Sequence, residues 1–83
     1  MLGNIRIQFN MVKRNKIVDL EIPIDITARE LIIGLNEAYD LGISIENVRE
    51  CFLNCENPIC LIKGNRLIKE YGLRTGSIIY FKE

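Results

Sequence analysis

The hydrophobic period of this chain changes at Thr27, and that change limits its fold more than any other feature. Before Thr27, apolar residues alternate with polar ones; after it they recur at helical spacing. Thr27-Ala28-Arg29-Glu30 marks the switch as a capping box. The threonine hydroxyl accepts from the Glu30 amide, and the glutamate carboxylate reaches back to the Thr27 amide. Ile26 and Leu31 flank the box as a hydrophobic staple. Ala28, Leu31, Leu35 and Ala38, with Tyr39 at the margin, share one helical face, and Gly42 is placed to end the helix.

Upstream, Ile5, Ile7 and Phe9 alternate with Arg6, Gln8 and Asn10, the pattern of a half-buried strand. Asn10 to Asn15 interrupts it, and Lys13-Arg14-Asn15-Lys16 suits a solvated turn. Val18, Leu20 and Ile22 then alternate with Asp19 and Glu21 until Pro23, so the two runs form a hairpin. Downstream, a connector over 43–47 leads to a third strand over Glu50 to Cys55. Its register is open, because Cys51-Phe52-Leu53 is continuously apolar. Asn57-Pro58 turns the chain into a short strand over Ile59 to Ile62. Lys63-Gly64-Asn65 turns it again, and Leu67, Ile68, Tyr71 and Leu73 make a compact apolar connection. Ser77 to Lys82 is the last strand.

A hairpin, a helix and three further short strands predict an α+β fold, a ubiquitin-like β-grasp. Its mixed sheet has four to five strands, with one main helix packed on one face. First and last strands become central neighbours, as right-handed crossovers allow; an antiparallel meander with a helix at one end is the other topology. The 83 residues are expected to form one domain, residues 1–83, and 48% hydrophobic content supplies a core.

Eleven basic and eleven acidic side chains cancel, so no bulk attraction draws the chain to nucleic acid or anionic lipid. Met1-Leu2-Gly3-Asn4 has no signal-peptide character, and no apolar run approaches the roughly 20 residues that span a bilayer. The expected location is the cytoplasm. Lys82-Glu83 follows the last strand with no Gly-Gly pair, so neither covalent conjugation nor sulfur carriage is expected.

Asn65-Arg66-Leu67-Ile68, followed by Tyr71-Gly72-Leu73-Arg74-Thr75-Gly76-Ser77-Ile78-Ile79, resembles the closing segment of small bacterial ubiquitin-like proteins of the YukD/EsaB family. Ile5-Arg6-Ile7-Gln8-Phe9 and Val18-Asp19-Leu20-Glu21-Ile22-Pro23 also match that pattern. The resemblance is clearest over residues 4–42 and 65–81, and residues 48–62 depart from it. It implies a cytoplasmic accessory or regulator of a type VII (WXG100/Esx) secretion system in a Gram-positive bacterium, partnered by a membrane or ATPase component. The other readings are an adaptor unrelated to secretion and a tail-less relative of sulfur carriers or modifiers.

The chain has no histidine, Gly-rich loop or nucleophile motif, and no enzyme activity or cofactor is expected. Cys51, Cys55 and Cys60 fall one ligand short of a tetrahedral zinc set. Cys51 and Cys60 read as small apolar strand residues, and Cys55 as the exposed one. If Ile79 and Phe81 face the core, Ile78 and Tyr80 face the other way. With Phe52 or Leu53 they make a candidate protein-binding patch, by analogy with the face such folds commonly use. Ile33 lies off the helical stripe, as a second contact or a residue facing another copy.

Overall fold

A computed structural model describes residues 3–44, 46 and 51–82. Its order is β1 (Asn4–Met11), β2 (Lys16–Pro23), α1 (Ala28–Tyr39), β3 (Leu53–Glu56), β4 (Cys60–Ile62) and β5 (Ile78–Phe81). The five strands form one mixed sheet in the order β2-β1-β5-β3-β4. β1 and β5 are parallel, and the remaining pairs are antiparallel. This is the β-grasp, with first and last strands side by side at the centre, and not a meander.

Strand alternation decides which residues meet α1. Ile7, Phe9 and Met11 of β1, Ile22 of β2, Ile79 and Phe81 of β5, Leu53 and Cys55 of β3 and Ile62 of β4 are buried on one face. Against them α1 buries Ala28, Leu31, Ile32 and Leu35. The stripe therefore takes Ile32, fully buried, and leaves Ala38 exposed. Residues 28, 32, 35 and 39 centre the stripe, and Ala38, seven residues after Leu31 and three after Leu35, falls at its edge. Tyr39 closes the stripe with its ring 5.6 Å from that of Phe9.

The N-terminus of α1 satisfies its first three amides in sequence. Ala28 N donates to Arg66 O at 2.9 Å and Arg29 N to Gly64 O at 2.8 Å. Glu30 N donates to Thr27 Oγ1 at 3.0 Å, and Thr27 N to Glu30 Oε1 at 2.9 Å, completing the capping box. The segment after β4 thus accepts from helix donors that would otherwise have no partner. At the other end Asp40, not Gly42, takes the left-handed position directly after the helix, at φ 53°. Asp tolerates that conformation because its short polar side chain limits the steric cost. Gly42 adopts its own positive φ two residues on.

Several boundaries differ from the sequence expectation. β1 does not break at Asn10 but runs on to a buried Met11, and a 3-10 turn over Val12–Arg14 closes the hairpin. Arg14 is not simply solvated: Nη1 donates to Tyr39 O at 2.6 Å and Nη2 to Asp40 O at 2.7 Å. β3 begins at Leu53, with Cys51 and Phe52 ahead of it, while Glu50 lies outside the described residues. β4 begins at Cys60, leaving Ile59 in the turn. β5 begins at Ile78, and Ser77 is fully buried just before it. Cys55, expected at the surface, is 3% exposed.

Candidate binding face

The sheet face away from α1 is built by the other half of each alternation. The register sets Ile17, Asn10, Tyr80, Asn54 and Leu61 in a row across all five strands. Beside it runs a row of Asp19, Gln8, Ile78 and Glu56. Ile78 and Tyr80 are therefore neighbours on this face, both half-buried, and Tyr80 stands on the central strand.

Tyr80 is held on two sides. Its hydroxyl donates to Glu56 Oε1 at 2.7 Å, and Lys82 Nζ lies 5.6 Å from its ring centroid. The bond to the Glu56 carboxylate raises the phenol pKa above its ordinary value, helped by partial desolvation and by the carboxylate charge. The hydroxyl accordingly stays protonated at neutral pH, and the two contacts orient the ring on the face.

A shallow depression lies on each side of this ring. One, of about 460 Å³, is lined by Ile43, Phe52, Asn54, Phe81 and Lys82 along with Tyr80. The other, of about 450 Å³, is lined by Glu56, Ile59, Cys60 and Lys82 along with Tyr80. Phe52 is 50% exposed and Ile59 is 89% exposed. The rim is charged and mixed in sign, with Arg6, Asp19, Glu21, Glu56 and Lys82 all exposed.

Of the residues singled out from sequence, Ile78, Tyr80 and Phe52 thus belong to one surface. Leu53 does not; it is buried on the helix side. Ile33 lies on α1, half-buried against the core, and so on the opposite side of the sheet from Tyr80. Sequence reasoning missed Ile17, Leu61 and Ile59, each at least 42% exposed. A signal was present for two of them. Ile17 precedes the Val18-Leu20-Ile22 alternation out of phase, and Leu61 sits between Cys60 and Ile62, so both must face outward.

Among the described residues no three His, Cys, Asp or Glu side chains group as metal ligands. No helix among them is long and apolar enough to cross a membrane.

No family model matches the chain, and no curated protein matches it. Several solved structures do. A designed protein based on ubiquitin aligns at 18% identity and a TM-score of 0.66, covering 99% of this chain and 90% of that one. The ubiquitin-like domain of Plasmodium falciparum Dsk2 aligns at 19% identity and 0.63, covering 93% and 96%. The C-terminal ubiquitin-like domain of mouse tubulin-specific chaperone e aligns at 11% identity and 0.68, covering 100% and 92%. At these identities the likeness is one of fold, and the fold of this chain is ubiquitin-like.

Proposed function

We propose that this chain is a non-catalytic protein-binding module that docks a partner on the outer sheet face around Tyr80. The observation that carries the reading is the tyrosine at the centre of that face, bonded to Glu56 and backed by Lys82, flanked by exposed apolar side chains and rimmed by charge. Tyrosine in such a setting contributes large contact area, and its orientation before binding reduces the entropy lost on docking. Ile78 and Phe52 extend the contact, and Ile33 would belong to a separate one, toward a further partner or another copy.

The partner we propose is a membrane or ATPase component of a type VII (WXG100/Esx) secretion system, with the chain as its cytoplasmic accessory. Support for this finer reading is the resemblance of Asn65-Arg66-Leu67-Ile68 and the segment over 71–79 to the YukD/EsaB proteins. A cytosolic adaptor unrelated to secretion would use the same face.

The test is affinity purification of the tagged protein from its own gently solubilised cells, with two variants. Tyr80→Ala removes a half-buried outer residue and costs about 1 kcal/mol or less of stability. Ile79→Ala, one residue away in the core, costs about 2–5 kcal/mol. Recovery of secretion components with wild type, and their loss with a folded Tyr80→Ala, is the expected result. Capture of soluble regulators instead would leave the face standing and remove the secretion role. Undiminished capture by Tyr80→Ala would remove the face, and a large fall in its melting temperature would place Tyr80 in the core.

A further inference from the structure

The β3–β4 hairpin brings together two cysteines that the binding reading does not use. Cys55 and Cys60 are directly opposite each other in the antiparallel register, with Glu56 and the turn over 57–59 between them. Opposed residues point to the same face, so both side chains lie on the helix side of the sheet. Opposed α-carbons in an antiparallel pair stand about 4.5–5.5 Å apart, inside the span a disulfide bridges without backbone movement. Both thiols are free, and the Cys55 thiol donates to Leu53 O of its own strand at 4.0 Å. Cys51 is placed differently: half-buried and ahead of β3, it faces no cysteine in the ladder.

We propose that Cys55 and Cys60 form a dithiol modification site, which low-molecular-weight disulfides oxidise to a cross-strand disulfide within one chain. The two members differ in environment, and the difference orders the steps. Cys55 is enclosed by the core and opposed to Cys60 across the ladder; burial first, then the neighbouring Cys60, pushes its thiol up to about 12, so it stays protonated at neutral pH. Cys60 is half-buried on β4, an edge strand of the sheet, and meets the oxidant. The Cys60 thiolate attacks one sulfur of the small disulfide, forming a mixed disulfide and expelling one small thiolate, which takes up a proton. Cys55 passes its proton to water or the departing thiolate and attacks the Cys60 sulfur, expelling the second small thiol. Two protein thiols are oxidised by two electrons, and one small disulfide is reduced to two thiols. Asn54 and Glu56 flank Cys55 and face outward, so the bond also braces the strand that holds Glu56 against the Tyr80 hydroxyl.

The experiment treats the reduced full-length protein with oxidised glutathione and reads intact mass, non-reducing electrophoresis and disulfide-mapped peptides. The expected product is a monomer lacking two hydrogens, its bond mapped to Cys55 and Cys60. Cys51→Ser should still form it, whereas Cys60→Ser should not. Cys55→Ser should instead accumulate one glutathione on Cys60, and Cys55→Ala serves if the serine disturbs the core. The wild-type peptide map decides the matter even if both Cys55 variants fail to fold. Three persistent thiols, glutathione adducts without ring closure, a bond through Cys51, or a disulfide-linked dimer would each overturn the proposal.

Discussion

Cys55 is buried because β3 borders both β5 and β4, so its inward residues have a neighbouring strand on each side. Ile79 lies opposite it on β5 and Cys60 on β4, and the residue is 3% exposed. From sequence it looked like a surface thiol, because Cys51-Phe52-Leu53 fits either register and a one-residue slip exchanges the two faces of a strand. In Ser77-Ile78-Ile79-Tyr80-Phe81 each face of the strand would carry one isoleucine and one aromatic, so alternation alone gave the facing of Tyr80 and Ile79 only conditionally, and the ladder with β1 and β3 decides it. Burial of Cys55 has a consequence in solution. Its folded-state pKa is raised from 9.0 to about 12, by desolvation before the influence of Cys60. The native state then holds its proton where the unfolded chain releases it. Stability linked to this thiol is complete below about pH 9 and falls as pH rises toward 12, by at most about 1.4 kcal/mol per pH unit. Urea melts under reducing conditions at pH 7 to 11 should therefore show the wild type losing its advantage over Cys55→Ala above pH 9. Alkaline titrations away from this hairpin are common to both proteins and cancel. A gap that stays constant with pH would mean that Cys55 is solvated.

Helix α1 illustrates which element contacts a sequence announces. Its N-terminus was legible because Thr27 and Glu30 are three residues apart and the capping box is a local device. Two further partners, Gly64 and Arg66, were not, because they come from a segment more than thirty residues downstream. The C-terminus shows the same division. Lys13-Arg14-Asn15-Lys16 has the composition of a solvated turn, and no local pattern reveals that the Arg14 guanidinium forks onto the carbonyls of Tyr39 and Asp40. Those carbonyls lie at the negative end of the helix, so a cation there completes hydrogen bonds and opposes the dipole charge. The same contact joins the hairpin loop to the end of the helix. Arg14→Ala should lower stability by about 1–2 kcal/mol, more than an exposed charge ordinarily contributes. Arg14→Lys should recover part of that, because it restores the charge without the two-pronged geometry. Chemical denaturation of the three proteins checks this, with amide exchange at Leu41 as a local report on the helix end. Equal midpoints for wild type and Arg14→Ala would show the contact to be energetically idle.

At the scale of the whole molecule, topology was more legible than boundaries. Period-two runs identify strands, and the right-handed crossover rule allows the first and last to be neighbours whatever their exact ends, with a meander as the other topology. The stretch before β3 was the least legible, since it combines an apolar run with no turn chemistry to fix where the strand starts. The resulting sheet gives β5 a special standing. It pairs with β1 on one side and β3 on the other, and it carries Ile79 and Phe81 into the core just after the fully buried Ser77. Ser77 ties this strand to two turns, accepting from Arg74 N at 3.0 Å and donating its hydroxyl proton to Asn57 O. Without β5, β1 and β3 each lose a ladder and α1 loses the middle of the surface it packs on. A hairpin with one helix and a detached pair of short strands buries too little to offset chain entropy. The chain cut after Gly76 should therefore show neither a sheet signature in far-UV circular dichroism nor a cooperative melt, whereas the full chain should unfold in one transition seen alike by all probes. Because the central pair joins the two ends of the sequence, folding should also be slow for a domain this small. Should residues 1–76 still melt cooperatively, the hairpin and helix would be an autonomous unit on which β5 docks afterwards, and the sheet centre would not be what holds the fold together.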